Sequence, residues 1–215
     1  RTHFYLNSEA EKDTFNTVLE WINDRLEKQA NKWRRTQMSL EVSMVFVERD
    51  EMGSRIELSD HLAKSKSIFA IGISNVAIVE LYRQALKHAI VENNAKVELI
   101  FLDPNSKYTK AREKDEFGSC NDIIKNLTSA SIGRMQHFKE ELKELKNKCK
   151  IYTYDKLPRL NLIILEDCAI IQYYTDKQSG GKSPCFFIER QKRVSPMYDY
   201  CVKIFNDVKS TAKEI

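Results

Sequence analysis

Glycine and proline are scarce, six and four in 215 residues, which excludes long linkers and low-complexity tails. Apolar runs are short: none approaches the ~20 residues of a membrane helix. The N-terminus is charged and has no signal-peptide core, so no membrane partner is expected. Neither charge dominates. With 35 basic and 31 acidic residues the formal charge is +4, a balance that permits an anionic partner without demanding one. The five cysteines, at 120, 149, 168, 185 and 201, are odd in number and include no CxxC. A reduced, cytoplasmic setting follows as the expectation. The four histidines, His3, His61, His88 and His137, are scattered, and none is spaced for zinc with a cysteine. No GxSxG, Walker loop or GxGxxG occurs, and neither cofactor nor metal is expected.

What is present suits a globular protein, with 42% hydrophobic and 31% charged residues. A chain this long buries a core without staples. Residues 8–35 carry Phe15, Val18, Leu19, Ile22 and Leu26 at helical spacing, which predicts an amphipathic helix. Residues 1–38 are therefore set apart as a helical extension from an α/β domain over 39–215. The start at Arg1 rather than Met suggests a piece of a longer protein.

Beyond the extension, 40–49 reads as a strand, "MGS" (52–54) as a turn and 55–66 as a short helix. "SIFAIGIS" (67–74) and "KVELIFLDP" (96–104) are nearly continuous apolar runs of strand length. The helical stripe Val79, Tyr82, Leu86, Ala89 and Ile90 between them makes a βαβ unit. Residues 104–119 read as a polar loop, and 123–149 as a helix broken near "SASIG" (129–133). "KIYTY" (150–154) is a strand, "LNLIILED" and "CAIIQYY" (160–174) a hairpin, and "SPCFFIER" (183–190) a further strand. A closing helix has Ser195 at its cap and Pro196 first. The class is α/β, with a mixed, mostly parallel central sheet between helical layers.

Over about residues 60–212 this order of elements resembles a phospholipase D-like domain: buried strand, helix, strand ending in Asp103, helices, edge strand, then two strands flanking an acidic turn. The resemblance implies that fold. Active members of the superfamily carry HxKxxxxD on the strand before the acidic turn, with a nucleophilic His and a phosphate-holding Lys. Counting back from Asp167 gives Leu160 and Leu162 in those places, and from Glu166, Arg159 and Asn161. The motif is absent in either register. "HFKEELKE" (137–144) has motif spacing but lies in a helical stripe, where positions i and i+2 diverge by about 200°. No catalytic residue is assigned, and Glu166 and Asp167 read as turn residues.

In open α/β sheets ligands bind beyond the C-terminal ends of the strands. Ser74, Asn75, Asp103 and Asn105 would emerge there, joined by Arg190, to bind a small anionic or nucleotide- or sugar-containing ligand. The same residues also suit plainer roles, Ser74 as a helix cap and "DPNS" (103–106) as a turn. "SGGKS" (179–183) precedes a strand and reads as a loop rather than a phosphate cradle. Arg190, Lys192 and Arg193 form a basic cluster that Arg134 would face, a grouping that reads first as a solvated face.

The expected function is a non-catalytic sensor or regulatory module of the kind found beside DNA-binding segments in transcriptional regulators. Nucleic acid would then be engaged through a segment preceding Arg1, and a homodimer is compatible. Two alternatives stand beside it. One is a phosphodiesterase or nuclease holding Mg²⁺ on Asp103, Glu166 and Asp167. The other is a protein- or nucleic-acid-binding module docking through the charged helix 12–35, with its Lys28, Lys32, Arg34 and Arg35.

Overall fold

The computed structural model describes residues 17, 18, 20, 22, 25, 41–119, 121–175, 178–192 and 194–215. Most of the expected N-terminal helix, including the cations at 28, 32, 34 and 35, lies outside them. Its described members Thr17, Val18, Glu20, Ile22 and Arg25 are helical.

The described strands are β1 (Val42–Phe46), β2 (Ser67–Gly72), β3 (Lys96–Leu102), β4 (Cys149–Tyr154), β5 (Leu160–Ile164), β6 (Cys168–Tyr173), β7 (Cys185–Glu189) and β8 (Lys213–Glu214). They form one sheet in the order β1-β7-β6-β5-β2-β3-β4-β8. Helices α1 (Arg49–Arg55), α2 (Leu58–Lys64), α3 (Val76–Leu81), α4 (Arg83–Asn93), α5 (Lys107–Phe117), α6 (Ile123–Glu141) and α7 (Pro196–Lys209) flank it. The protein is thus α/β with a mixed sheet.

Strand direction departs from expectation. Only β2–β3 and β3–β4 run parallel among the described pairings, and the rest are antiparallel. The reason is that this sheet is covered on both faces. One core joins Ile68, Leu99, Ile163 and Ile170 to Leu62, Leu86 and Phe138 of the helices. The other joins Ile71, Ile100, Leu162 and Ile171 to Met197, Cys201 and Phe205 of α7, with Ile22. Two-sided burial makes an antiparallel strand as continuously apolar as a parallel one.

Three local readings change as well. "MGS" lies inside α1, where buried Met52 anchors the helix and Arg55 pairs with Glu51 one turn back at 3.0 Å. Residues 107–117 are helix α5 rather than loop. Ser106 caps it by accepting from Tyr108 N–H, and its buried residues are Thr109, Arg112 and Glu113. A polar buried face leaves no apolar stripe to read. Helix α6 runs unbroken through 129–133, and the chain turns instead at Lys143, at φ 51. At α7, Ser195 and Pro196 hold the expected positions, yet Ser195 makes no capping bond. The cap is Glu41, whose buried carboxylate accepts from Met197 N–H and Tyr198 N–H, and from Ser195 Oγ at 2.6 Å.

Candidate functional site

The hairpin β5–β6 runs antiparallel beside β2, with Leu162 opposite Ile71 and Ile164 opposite Phe69. Its open end therefore meets the C-terminal end of β2, and its turn, Leu165–Asp167, meets the N-terminal end. Side chains alternate along a strand, so Asn161, Gln172 and Tyr174 fall on the face that carries Ile163 and Ile170. Asn161 and Gln172 are also cross-strand partners.

At the open end lies a cleft of about 680 Å³, walled by α1, α3, the end of α5, the start of α6 and the 179–181 segment. Its floor is a network of neutral groups. Asn75 donates to Ile100 C=O at 3.0 Å, Asn161 donates to Asn75 Oδ1 at 3.5 Å, and Ile73 N–H donates to the Tyr174 hydroxyl at 3.2 Å. Gly72 makes this possible, because a Cβ there would sit 2.5 Å from Asn161 Nδ2 and closer still to Asn75 Oδ1. Burial lifts the Tyr174 phenol above its ordinary range, an effect that the bonds from Ile73 N–H and Asn161 partly offset.

The described residues 175 and 178–183 beside the cleft are tied down by two buried side chains. Arg112 donates to Thr175 C=O at 2.9 Å and Gln178 C=O at 2.5 Å, lies over the Tyr174 ring, and pairs with Glu116 at 3.3 Å. Gln172 donates to the carbonyls of Gly180 and Ser183. Burial raises the Glu116 carboxyl above its ordinary value although Arg112 pulls it down. Around the rim the apolar side chains of Leu81, Phe117 and Leu127 remain exposed, at 73%, 44% and 45%. Glu80 is held by Arg134 at 2.5 Å. Arg49, by contrast, forms no hydrogen bond or ion pair with another described residue, and no other cation lines the cleft among them.

The expected ligand residues separate. Ser74 and Asn75 line the cleft. Asn75, in the left-handed region at φ 48, occupies the cap position of α3 but spends its amide on Ile100 rather than on the helix. Asp103 and Asn105 form a turn, Asp103 Oδ1 accepting from Asn105 N–H at 2.8 Å, and they are not among the lining residues. Arg190 lies at the other end of the sheet, where its backbone N–H donates to Asp167 C=O and its guanidinium to Glu166 C=O at 3.1 Å. It cannot share a ligand with Ser74. Nor does Arg134 join its cluster. Sequence reading also missed Arg49, Asn161, Gln172 and Tyr174. A usable signal existed: Asn161 and Gln172 are polar breaks within otherwise apolar strands.

The turn end has its own cluster. Asp167 Oδ2 is 3.0 Å from His61 Nδ1 on α2, and Cys168 Sγ is 4.0 Å from the same nitrogen. A histidine and a cysteine far apart in sequence thus meet. A nucleophilic relay would need both ring nitrogens, one for the thiol and one for the carboxylate. Here both face Nδ1, and burial, with Asp167 adding to it, pushes the Cys168 thiol far up. The Mg²⁺ reading fails on distance. Asp103 follows the C-terminal end of β3, whereas Glu166 Oε2 accepts from Lys66 N–H at the opposite end of the strand pair. The seven residues of β3 put roughly 20 Å between them at ~3.3 Å per residue.

Among the described residues no helix is long and apolar enough to cross a membrane. Residues 39–207 match the model of a family described as a domain of unknown function, DUF5919. No curated protein matches the chain. Similar solved structures include TrmBL2, an archaeal chromatin protein whose structure shows a novel mode of DNA binding, at 11% identity and TM-score 0.49, covering 95% of this chain and 66% of that one. Nuc, a phospholipase D family member from Salmonella typhimurium, is 12% identical with TM-score 0.44, covering 75% and 90%. Phosphatidylserine synthase from Haemophilus influenzae Rd KW20 is 11% identical with TM-score 0.49, covering 74% and 36%. Likenesses at this level carry no chemistry, so the site has to be read from its own residues.

Proposed function

The chain belongs to the DUF5919 family, a domain of unknown function, and we propose that it is a non-catalytic sensor or regulatory domain that binds a small ligand in the cleft at the open end of β5–β6. The observation that carries this is the exposed apolar rim of Leu81, Phe117 and Leu127 around a buried amide floor. A concave, mostly apolar site with a few placed polar groups is the usual form of a small-molecule pocket. The chemistry of the ligand follows from the lining. An apolar or aromatic body would cover the rim, hydroxyl or amide groups would meet Asn161 and Ser74, and an anionic group would meet Arg49. Nucleotides satisfy this description, the base meeting the rim and the phosphate Arg49.

A thermal-shift panel of nucleotides, cyclic nucleotides and sugar phosphates tests the reading, because a ligand of the native state raises the melting temperature by mass action. At least one compound should produce a concentration-dependent shift that Ser74→Arg abolishes. A panel without any shift, or a shift that Ser74→Arg leaves intact, overturns it.

A further inference from the structure

At the turn end, the residues meet as donors rather than as a relay. His61 Nδ1, Asp167 Oδ2 and Cys168 Sγ lie within 4.8 Å of one another, with Cys168 buried and His61 and Asp167 lining a second cavity of about 380 Å³ together with Glu57, Asp60, Lys64 and Glu166. Tetrahedral metal bonds of about 2.0–2.3 Å place their donor atoms roughly 3.3–3.6 Å apart. The His61–Asp167 separation of 3.0 Å and the His61–Cys168 separation of 4.0 Å bracket that value. The three donors also come from well-supported positions. His61 sits on α2 with its ring edge against Phe187, centroids 5.7 Å apart. Cys168 opens β6 opposite Glu189. Asp167 belongs to the turn, whose carbonyl accepts from Arg190 N–H at 2.8 Å.

We propose that His61, Asp167 and Cys168 bind a thiophilic divalent cation, Zn²⁺ by its chemistry, with the fourth position turned to the cavity. A thiol, an imidazole and a carboxylate together suit Zn²⁺, whereas Mg²⁺ and Ca²⁺ take oxygen ligands. The fourth ligand is water or a carboxylate oxygen from Glu57, Asp60 or Glu166. The bound ion clamps α2 to the β5–β6 turn, and binding adds to the stability of the fold. This site is separate from the cleft and stands or falls independently of it.

Untagged, chelator-treated protein titrated with ZnCl₂ in a calorimeter should bind one equivalent. Co²⁺ in its place should give a thiolate-to-cobalt charge-transfer band in the near ultraviolet, and Cys168→Ser should remove that band. His61→Gln and Asp167→Asn, at positions that are not deeply buried, should each weaken Zn²⁺ by at least about 10-fold, with circular dichroism unchanged. These two variants decide the matter if Cys168→Ser fails to fold. Co²⁺ bound without the band, or Zn²⁺ affinity unaltered by both of them, overturns the site.

Discussion

The two ends of the β5–β6 hairpin use the same face of the same sheet in different ways. At the open end, Asn161, Gln172 and Tyr174 are neutral, satisfied by neighbouring main chain and side chains, and roofed by exposed apolar residues. At the turn end, His61, Asp167 and Cys168 are titratable, closely grouped, and bordered by Glu57, Asp60 and Glu166 together with Lys64. The difference lies in what each end can afford to expose. A cleft that takes up part of a molecule needs a rigid polar floor and unpartnered apolar walls, and fixed amides supply the floor without a charge to desolvate. A cluster of ionisable groups at a turn is tolerated because solvent reaches it, and it gains most from a cation that binds all its members at once.

The comparison can be broken from either side. Gly72→Ala should have the largest effect, since its Cβ collides with the Asn75–Asn161 pair. Stability in urea should fall by as much as about 3 kcal/mol, and ligand shifts at the cleft should disappear while metal binding at the turn persists. Lys209→Met serves as a control away from both sites. Glu98 lies buried beneath Lys209 and Lys96, at 2.7 and 2.8 Å. Burial pushes its carboxyl up, but the bonds from the two lysines outweigh that and hold it below its ordinary 4.5. The stability from Glu98 is therefore present above pH 4.5 and lost as the pH falls through its lower folded value. Removing Lys209 should cost about 1.5 kcal/mol near neutrality after allowance for solvent screening. It should also flatten the acid limb of the stability curve and leave both sites working.

Tyr198→Phe touches only the turn end, where the hydroxyl donates to Leu165 C=O at 2.5 Å. A loss of about 1 kcal/mol is expected, read from the denaturation midpoint, with cleft binding unchanged. Glu116→Gln at the cleft wall should do least. Its folded-state carboxyl is raised, so the native state holds the proton more tightly than the unfolded chain, and stability falls as the pH rises above 4.5 toward the raised value. Substitution by Gln should remove that slope from the stability curve, read as a flatter dependence on pH above 4.5.

Much of this architecture could be read in advance. The apolar runs at 67–72 and 96–102 are strands β2 and β3, and Glu166–Asp167 do turn the chain between β5 and β6. Strand direction was not legible, because helices cover both faces and erase the alternation that marks antiparallel pairs. Helix α5 escaped because it buries Thr109, Arg112 and Glu113 instead of an apolar stripe. Of the expected ligand residues, Ser74 and Asn75 reach the cleft, since they follow β2 directly. Arg190 does not, because its place depends on the antiparallel β6–β7 pairing. The His61–Cys168 contact spans 107 residues, and no spacing rule for metal ligands reaches that far.

The proposed function places a ligand with an apolar body and an anionic group in the cleft and not at the turn end. Titration of the native protein with 1-anilinonaphthalene-8-sulfonate, which has both features, tests it directly. One saturable fluorescent site is expected, which Arg49→Glu weakens by at least about 10-fold, the ~1.4 kcal/mol that a lost charge-assisted contact represents, and which Asp167→Asn leaves unchanged. Dye binding that is indifferent to Arg49→Glu, or that falls with Asp167→Asn instead, would contradict it.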